Sequence, residues 1–231
     1  MLFLVVSLPA FSQFGRYPIS HGYTVSSGPD YTDLEHWYAL KSNALDFHGS
    51  DDGTNNGAYS GDSTLMSDTA FYYYAADDDY VALATGENHG SSDVSVMATV
   101  KLHAFGANRC VYCNSISDAL CFLVGSSGHL ILLERLGNYC QTSMTLTLNT
   151  EHHIAMAYDQ DANTVDFWID GVKEQESFSA TFSAVTQYVG GATTIYSWDG
   201  LQQNTSIWNS VLTQDDIDYY YNSGDVKDYG E

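Results

Sequence analysis

Residues 196–224 read YSWDGLQQNTSIWNSVLTQDDIDYYYNSG. The first part has the short apolar/polar alternation of a closing strand, over 203–208. Thr213 then caps a helix, and Asp216 three residues on makes a variant capping box, with Asp where Glu or Gln is usual. Asp215 and Asp216 suit the positive end of the helix dipole. Ile217, Tyr220 and Tyr221 share one face at i, i+3, i+4 spacing. Asn222-Ser-Gly224 supplies a C-terminal stop. The residues before this stretch predict β-structure, so the helix is expected as a lid on a sheet.

Working outward, 164–169 and 172 onward flank Asp170-Gly171, a two-residue hairpin signal. The run 94–103 alternates cleanly: Val94, Val96, Ala98, Val100 and Leu102 on one face, Ser95, Met97, Thr99, Lys101 and His103 on the other. Strands are also expected at 34–40, 71–74, 80–83, 120–124, 129–136, 143–148, 153–158, 178–182 and 187–189. Gly125-Ser-Ser-Gly128 reads as a hairpin turn. Many short strands punctuated by turns point to an all-β, two-sheet antiparallel sandwich or jelly roll with one short C-terminal helix, and exclude βαβ units.

The chain has 231 residues, with 29 acids against 7 Lys and Arg and a formal net charge of −22. Such a surface repels nucleic acid, whose binding rests on neutralising phosphates. It suits calcium, neutral sugars, cationic partners or a salty medium. No apolar run reaches the ~20 residues a membrane-spanning helix needs. Residues 1–13 have the apolar body and small-residue end of a secretory signal peptide but lack a positive start, so an edge strand or anchor remains an alternative. Residues 14–33 read as an exposed lead-in, 34–224 as the folded domain and 225–231 as a tail. Cys110, Cys113, Cys121 and Cys140 form an even set. With export they predict two disulfides, for which Cys110–Cys113 and Cys121–Cys140 is one pairing; a zinc knuckle is the alternative.

Read together, several segments resemble the laminin-G-like and pentraxin-like branch of the concanavalin A-like lectin/glucanase superfamily. They are the aromatic strand and Gly-rich loop from Trp37 to Gly53, Asp78-Asp79-Tyr80-Val81, His152 to Tyr158 with Phe167-Trp-Ile-Asp-Gly171, Tyr188-Val-Gly-Gly191, and Trp198-Asp-Gly200 with Ile207-Trp-Asn209. The resemblance implies a concanavalin A-like jelly roll that binds glycans or glycoproteins, commonly with a structural calcium. Two departures stand out. Gln202 to Thr205 replace an acidic stretch of the family's closing strand, and the cysteine-bearing segment is unusual.

Candidate sites follow. Ca²⁺ takes six to eight oxygens. The loop at 43–53 offers Asn43, Asp46 and Asp52, and the family pattern brings Asn204 alongside; the other reading is a polar turn without metal. Asn204-Thr-Ser206 is also an N-glycosylation sequon. Asp166, Trp168 and Asp170 share the face opposite Val165, Phe167 and Ile169, an aromatic between two acids that suits a sugar. The alternative is a Trp packed beneath a neighbouring element. Enzyme chemistry lacks its signatures: there is no paired-acid glycosidase motif, zinc HExxH or nucleophile elbow. The expectation is therefore a secreted, non-catalytic lectin-like module. A self-associating structural subunit and a polysaccharide-cleaving enzyme are the other two readings.

Overall fold

The computed structural model describes residues 31–65, 68–83, 93–114, 120–134, 137–180, 187–191 and 196–221. The expected signal peptide and tail lie outside them, as does most of the lead-in. Strands are numbered in chain order. One sheet holds β1 (Leu34–Tyr38), β3 (Tyr59–Leu65), β4 (Asp68–Tyr73), β6 (Val94–Leu102), β11 (Glu151–Asp159), β12 (Thr164–Ile169), β13 (Val172–Ser177) and β15 (Gly200–Trp208). The other holds β2 (Thr54–Asn56), β5 (Tyr80–Ala82), β7 (Arg109–Cys113), β8 (Leu120–Val124), β9 (His129–Glu134), β10 (Tyr139–Thr145) and β14 (Tyr188–Val189). Their orders are β13-β12-β11-β6-β15-β4-β3, with β1 also on β15, and β10-β9-β8-β7-β14-β5-β2. The pairings are antiparallel throughout.

The closing strand is the hub of its sheet. One edge of β15 follows β6 along its length. On the other edge Gly200, Leu201 and Gln202 pair β4, whereas Thr205 to Trp208 pair β1. The handover falls at Gln203 and Asn204, where Asn204 takes φ 49° and the register with β6 shifts. The inward faces of the two sheets bury one apolar core, in which Phe122 and Phe167 meet with ring centroids 6.3 Å apart.

The helix α1 (Gln214–Tyr221) forms as its capping signals predict. Asp216 Oδ2 accepts the Thr213 backbone N–H at 2.8 Å, and the Asp216 N–H points back to Thr213 Oγ1 at 3.4 Å. Ile217 and Tyr220 are buried on the outer face of the eight-stranded sheet, against Met97, Ala155, Trp168 and Trp208. The lid expectation holds. Tyr31, within the expected lead-in, belongs to this cluster too, 6.1 Å from the Trp208 ring.

Three expectations need correction. Residues 178–180 are not a strand; β13 follows the Asp170-Gly171 turn directly, and the Ala180 N–H donates to Tyr158 Oη. The strand expected at 143–148 lies at β10, six residues of which precede Thr145. Only one disulfide forms among the described residues, Cys113–Cys121, leaving Cys110 and Cys140 as buried thiols. A bulge between Cys110 and Tyr112 turns both Val111 and Tyr112 inward, so Cys110 and Cys113 face outward and Cys113 lies opposite Cys121. Cys140 faces the inner core, with β9 between it and Cys121, so those two cannot bond. Burial pushes the Cys140 thiol up to about 12.

Candidate functional site

The three residues expected as a sugar platform do share a stretch of β12, but not an open face. Trp168 is fully buried under α1. Its indole N–H donates to Gln214 Oε1 at 2.8 Å, and Gln214 also donates to the Gly171 carbonyl and to Asp218. Asp166 pairs with Lys173 at 2.5 Å and accepts from Gln175. Asp170 accepts from His152 Nδ1 at 2.7 Å and from the His153 N–H at 2.9 Å, fixing the turn where it takes φ 52°. No sugar ring can reach the Trp168 face; these residues fasten the lid.

The residues expected to hold calcium are not arranged as a cation cage. Asp46 Oδ1 accepts the N–H groups of Trp37, His48 and Gly49, and Oδ2 accepts from His36 Nδ1 at 2.8 Å. Burial alone would raise the Asp46 carboxyl, but His36 and these N–H groups outweigh it and hold it at about 2. Gly49 is required here because a Cβ would collide with Asp46 Oδ2. Asp52 accepts the Asp46 N–H, and Asn43 closes an Asx turn onto the Leu45 N–H. Asn204 meets this region through its backbone N–H to the Ala39 carbonyl, while its side chain is buried. The loop thus closes around a carboxylate satisfied by N–H donors. Among the described residues no group of three or more His, Cys, Asp or Glu is placed to hold a metal ion. At 5% exposure on a central strand, Asn204 has no room for a glycan either.

A different site emerges on the outer face of the seven-stranded sheet. There Ile131 and Leu133 of β9 point away from the core, while Leu130 and Leu132 point into it. They floor a cleft of ≈ 250 Å³ at the β8–β9 turn. Tyr139 of β10, 60% exposed, stands at its wall. Asn108, Ser126, Ser127, His129 and Gln141 supply polar groups around it, and Gly125 keeps its floor open, since a Cβ there would crowd the end of Ile131. Among the described residues no carboxylate lines it, in a chain carrying 29 acids. An exposed aromatic ring beside neutral donors and acceptors matches the mixed apolar and hydroxyl surface of an uncharged sugar.

Sequence reasoning missed this cleft because β10 was placed too late, leaving Tyr139 and Gln141 off any strand. The available signal was in 129–133, where apolar residues occupy both faces of one strand.

The fold and cleft can now be set beside known proteins. A laminin-G-type family model of the concanavalin A-like lectin/glucanases superfamily matches residues 75–218, well over half the chain. The chain belongs to that superfamily. Among solved structures, domain 4 of AbnA, an extracellular GH43 arabinanase from Geobacillus stearothermophilus, solved with arabinotriose, is similar at TM-score 0.62 and 16% identity, covering 80% of this chain and 96% of that one. The binding domain of Paraclostridial Mosquitocidal Protein 1 aligns at TM-score 0.65 and 13% identity, over 83% and 52%. Trypanosoma rangeli sialidase aligns at 0.61 and 12%, over 85% and 33%. This superfamily member therefore spans about half of the toxin binding domain and a third of the sialidase. At these identities the likeness to solved structures is one of fold. No curated protein matches the chain in sequence.

Proposed function

We propose that the chain is a secreted, non-catalytic carbohydrate-binding module and that its ligand is an uncharged glycan held in the cleft beside Tyr139. The observation that carries this reading is the pairing of a 60% exposed tyrosine with a rim that, among the described residues, holds no carboxylate. A retaining or inverting glycosidase needs two carboxyl groups flanking the scissile bond, and the described lining residues supply none. Among the described residues the lining holds no Lys or Arg to pair with a uronic or sialic acid, whereas a neutral sugar needs none. The binding of arabinotriose by the arabinanase domain structure supports the ligand class for a shared fold. The Cys113–Cys121 bridge suits an oxidising, extracellular setting. No helix of the described residues is long and apolar enough to cross a membrane.

A glycan array, run with and without EDTA, tests the proposal. Neutral oligosaccharides are expected to bind in both conditions, and Tyr139→Ala to weaken the best of them about tenfold through lost ring contact. Correctly folded protein that binds no glycan, or binding indifferent to Tyr139→Ala, would refute it.

A further inference from the structure

The wall of the cleft contains an irregularity whose hydrogen bonds lead to the opposite sheet. Between β9 and β10 the register runs Ile131↔Gln141 and then His129↔Thr145, so β10 carries two extra residues. Such a bulge takes backbone groups out of the ladder and re-aims neighbouring side chains. Here the N–H groups of Ser143 and Met144 turn to the Glu174 carboxylate, reaching across from β13, at 2.7 and 3.2 Å; the Ser143 hydroxyl joins them at 3.0 Å. Thr142 Oγ1 accepts the Leu130 N–H and donates to the Met144 carbonyl at 2.8 Å. The same carbonyl meets His129 Nδ1 at 3.2 Å.

A carbonyl oxygen only accepts, so His129 Nδ1 must carry its proton. In the neutral ring Nε2 then bears a lone pair. Among the described residues Nε2 has no hydrogen-bond partner, and His129 lines the cleft. We infer that His129 presents Nε2 to the cleft as a hydrogen-bond acceptor, so that a bound sugar must place a free hydroxyl there, and that Glu174 is the positioning residue that fixes this arrangement. The inference rests on the cleft being the sugar site. It narrows the ligand class to glycans unsubstituted at that hydroxyl. An O-methyl group, a ketone or a carboxylate in its place offers no proton to Nε2. Losing one such bond in a desolvated site weakens binding roughly tenfold.

The test has two readouts. Long-range proton–nitrogen correlation spectra of the imidazoles report the tautomer of His129 with no ligand present. Wild type is expected to show the Nδ1–H form, and Glu174→Ala to shift it toward the Nε2–H form common in a free histidine side chain; Glu174→Gln, which keeps one acceptor, serves if the alanine variant unfolds. Titration with arabinotriose and permethylated arabinotriose is the second readout, with at least tenfold tighter binding expected for the unmethylated sugar. An Nε2–H tautomer in wild type, or one unmoved by both Glu174 variants, overturns the inference while leaving the cleft proposal intact. An Nδ1–H tautomer in a protein that binds neither arabinotriose nor any neutral glycan of the array overturns the cleft proposal, and the acceptor role with it.

Discussion

The two outer faces of this sandwich start from similar material and end differently. On the eight-stranded sheet, Met97, Ala155, Trp168 and Trp208 point away from the core, and α1 covers them. On the seven-stranded sheet, Leu123, Ile131 and Tyr188 also point outward, with Leu133 packed beside them. There the Cys113–Cys121 bridge ties neighbouring strands, and no helix of the described residues lies above it. The covered face turns its aromatic ring into stability, and the open face leaves one available. An outward-facing aromatic is therefore not a sugar platform until something shows that nothing packs over it. Trp168 and Tyr139 are the pair that makes this concrete: 0% against 60% exposed.

Trp168→Ala should break the comparison hardest. It removes a fully buried indole, its bond to Gln214 and its packing against α1. Large aromatic-to-alanine changes in a core cost about 3–5 kcal/mol. Urea denaturation should show that loss, while the folded fraction keeps wild-type glycan affinity. A variant of undiminished stability would mean that the helix does not hold this face.

The covered face should also be sensitive to acid. His153 lies under Tyr221, its ring stacked at 5.9 Å, and among the described residues its Nδ1 has no partner. Burial depresses its pKa from 6.5 to about 4, with the Asp170 charge opposing only in part. The folded chain keeps this ring neutral while the unfolded chain takes up a proton below about pH 6.5. Stability from this group is therefore complete above that pH and drains away as pH falls toward about 4, by about 3 kcal/mol in total. His153→Phe should remove that part of the slope. The check is the difference in unfolding free energy between wild type and variant at about pH 7.5 and pH 4.5. Parallel profiles would show that His153 is not the group responsible.

How far these faces were legible in the sequence follows from what each depends on. The helix was readable because its signals are local: Thr213 and Asp216 cap it, and Ile217 and Tyr220 mark its buried side. The alternation in β12 correctly set Trp168 opposite Phe167, yet what covers it arrives through Gln214, 46 positions later in the chain. The cysteines and β10 failed for a common reason. Bulges at Cys110–Tyr112 and at Gln141–Thr145 break the two-residue period, which is the only signal that assigns a strand residue to a face. The Asp46 loop is ambiguous for a different reason. Its composition fits a cation as well as it fits a turn, and the N–H groups that satisfy Asp46 belong to the backbone, which a sequence does not display.

Tyr139→Ala is the mildest change to the fold and the sharpest for the comparison. The ring is 60% exposed and stands on an edge strand, so its removal creates no cavity. Exposed substitutions away from special contacts stay within about 0.5 kcal/mol. The expected signature is therefore a dissociation: unfolding midpoint unchanged, glycan affinity about tenfold weaker, the mirror image of Trp168→Ala. Thermal denaturation of the two variants side by side measures it. Should Tyr139→Ala destabilise the chain as Trp168→Ala does, the ring would be packed in solution, and the open face would be no more available to a sugar than the covered one.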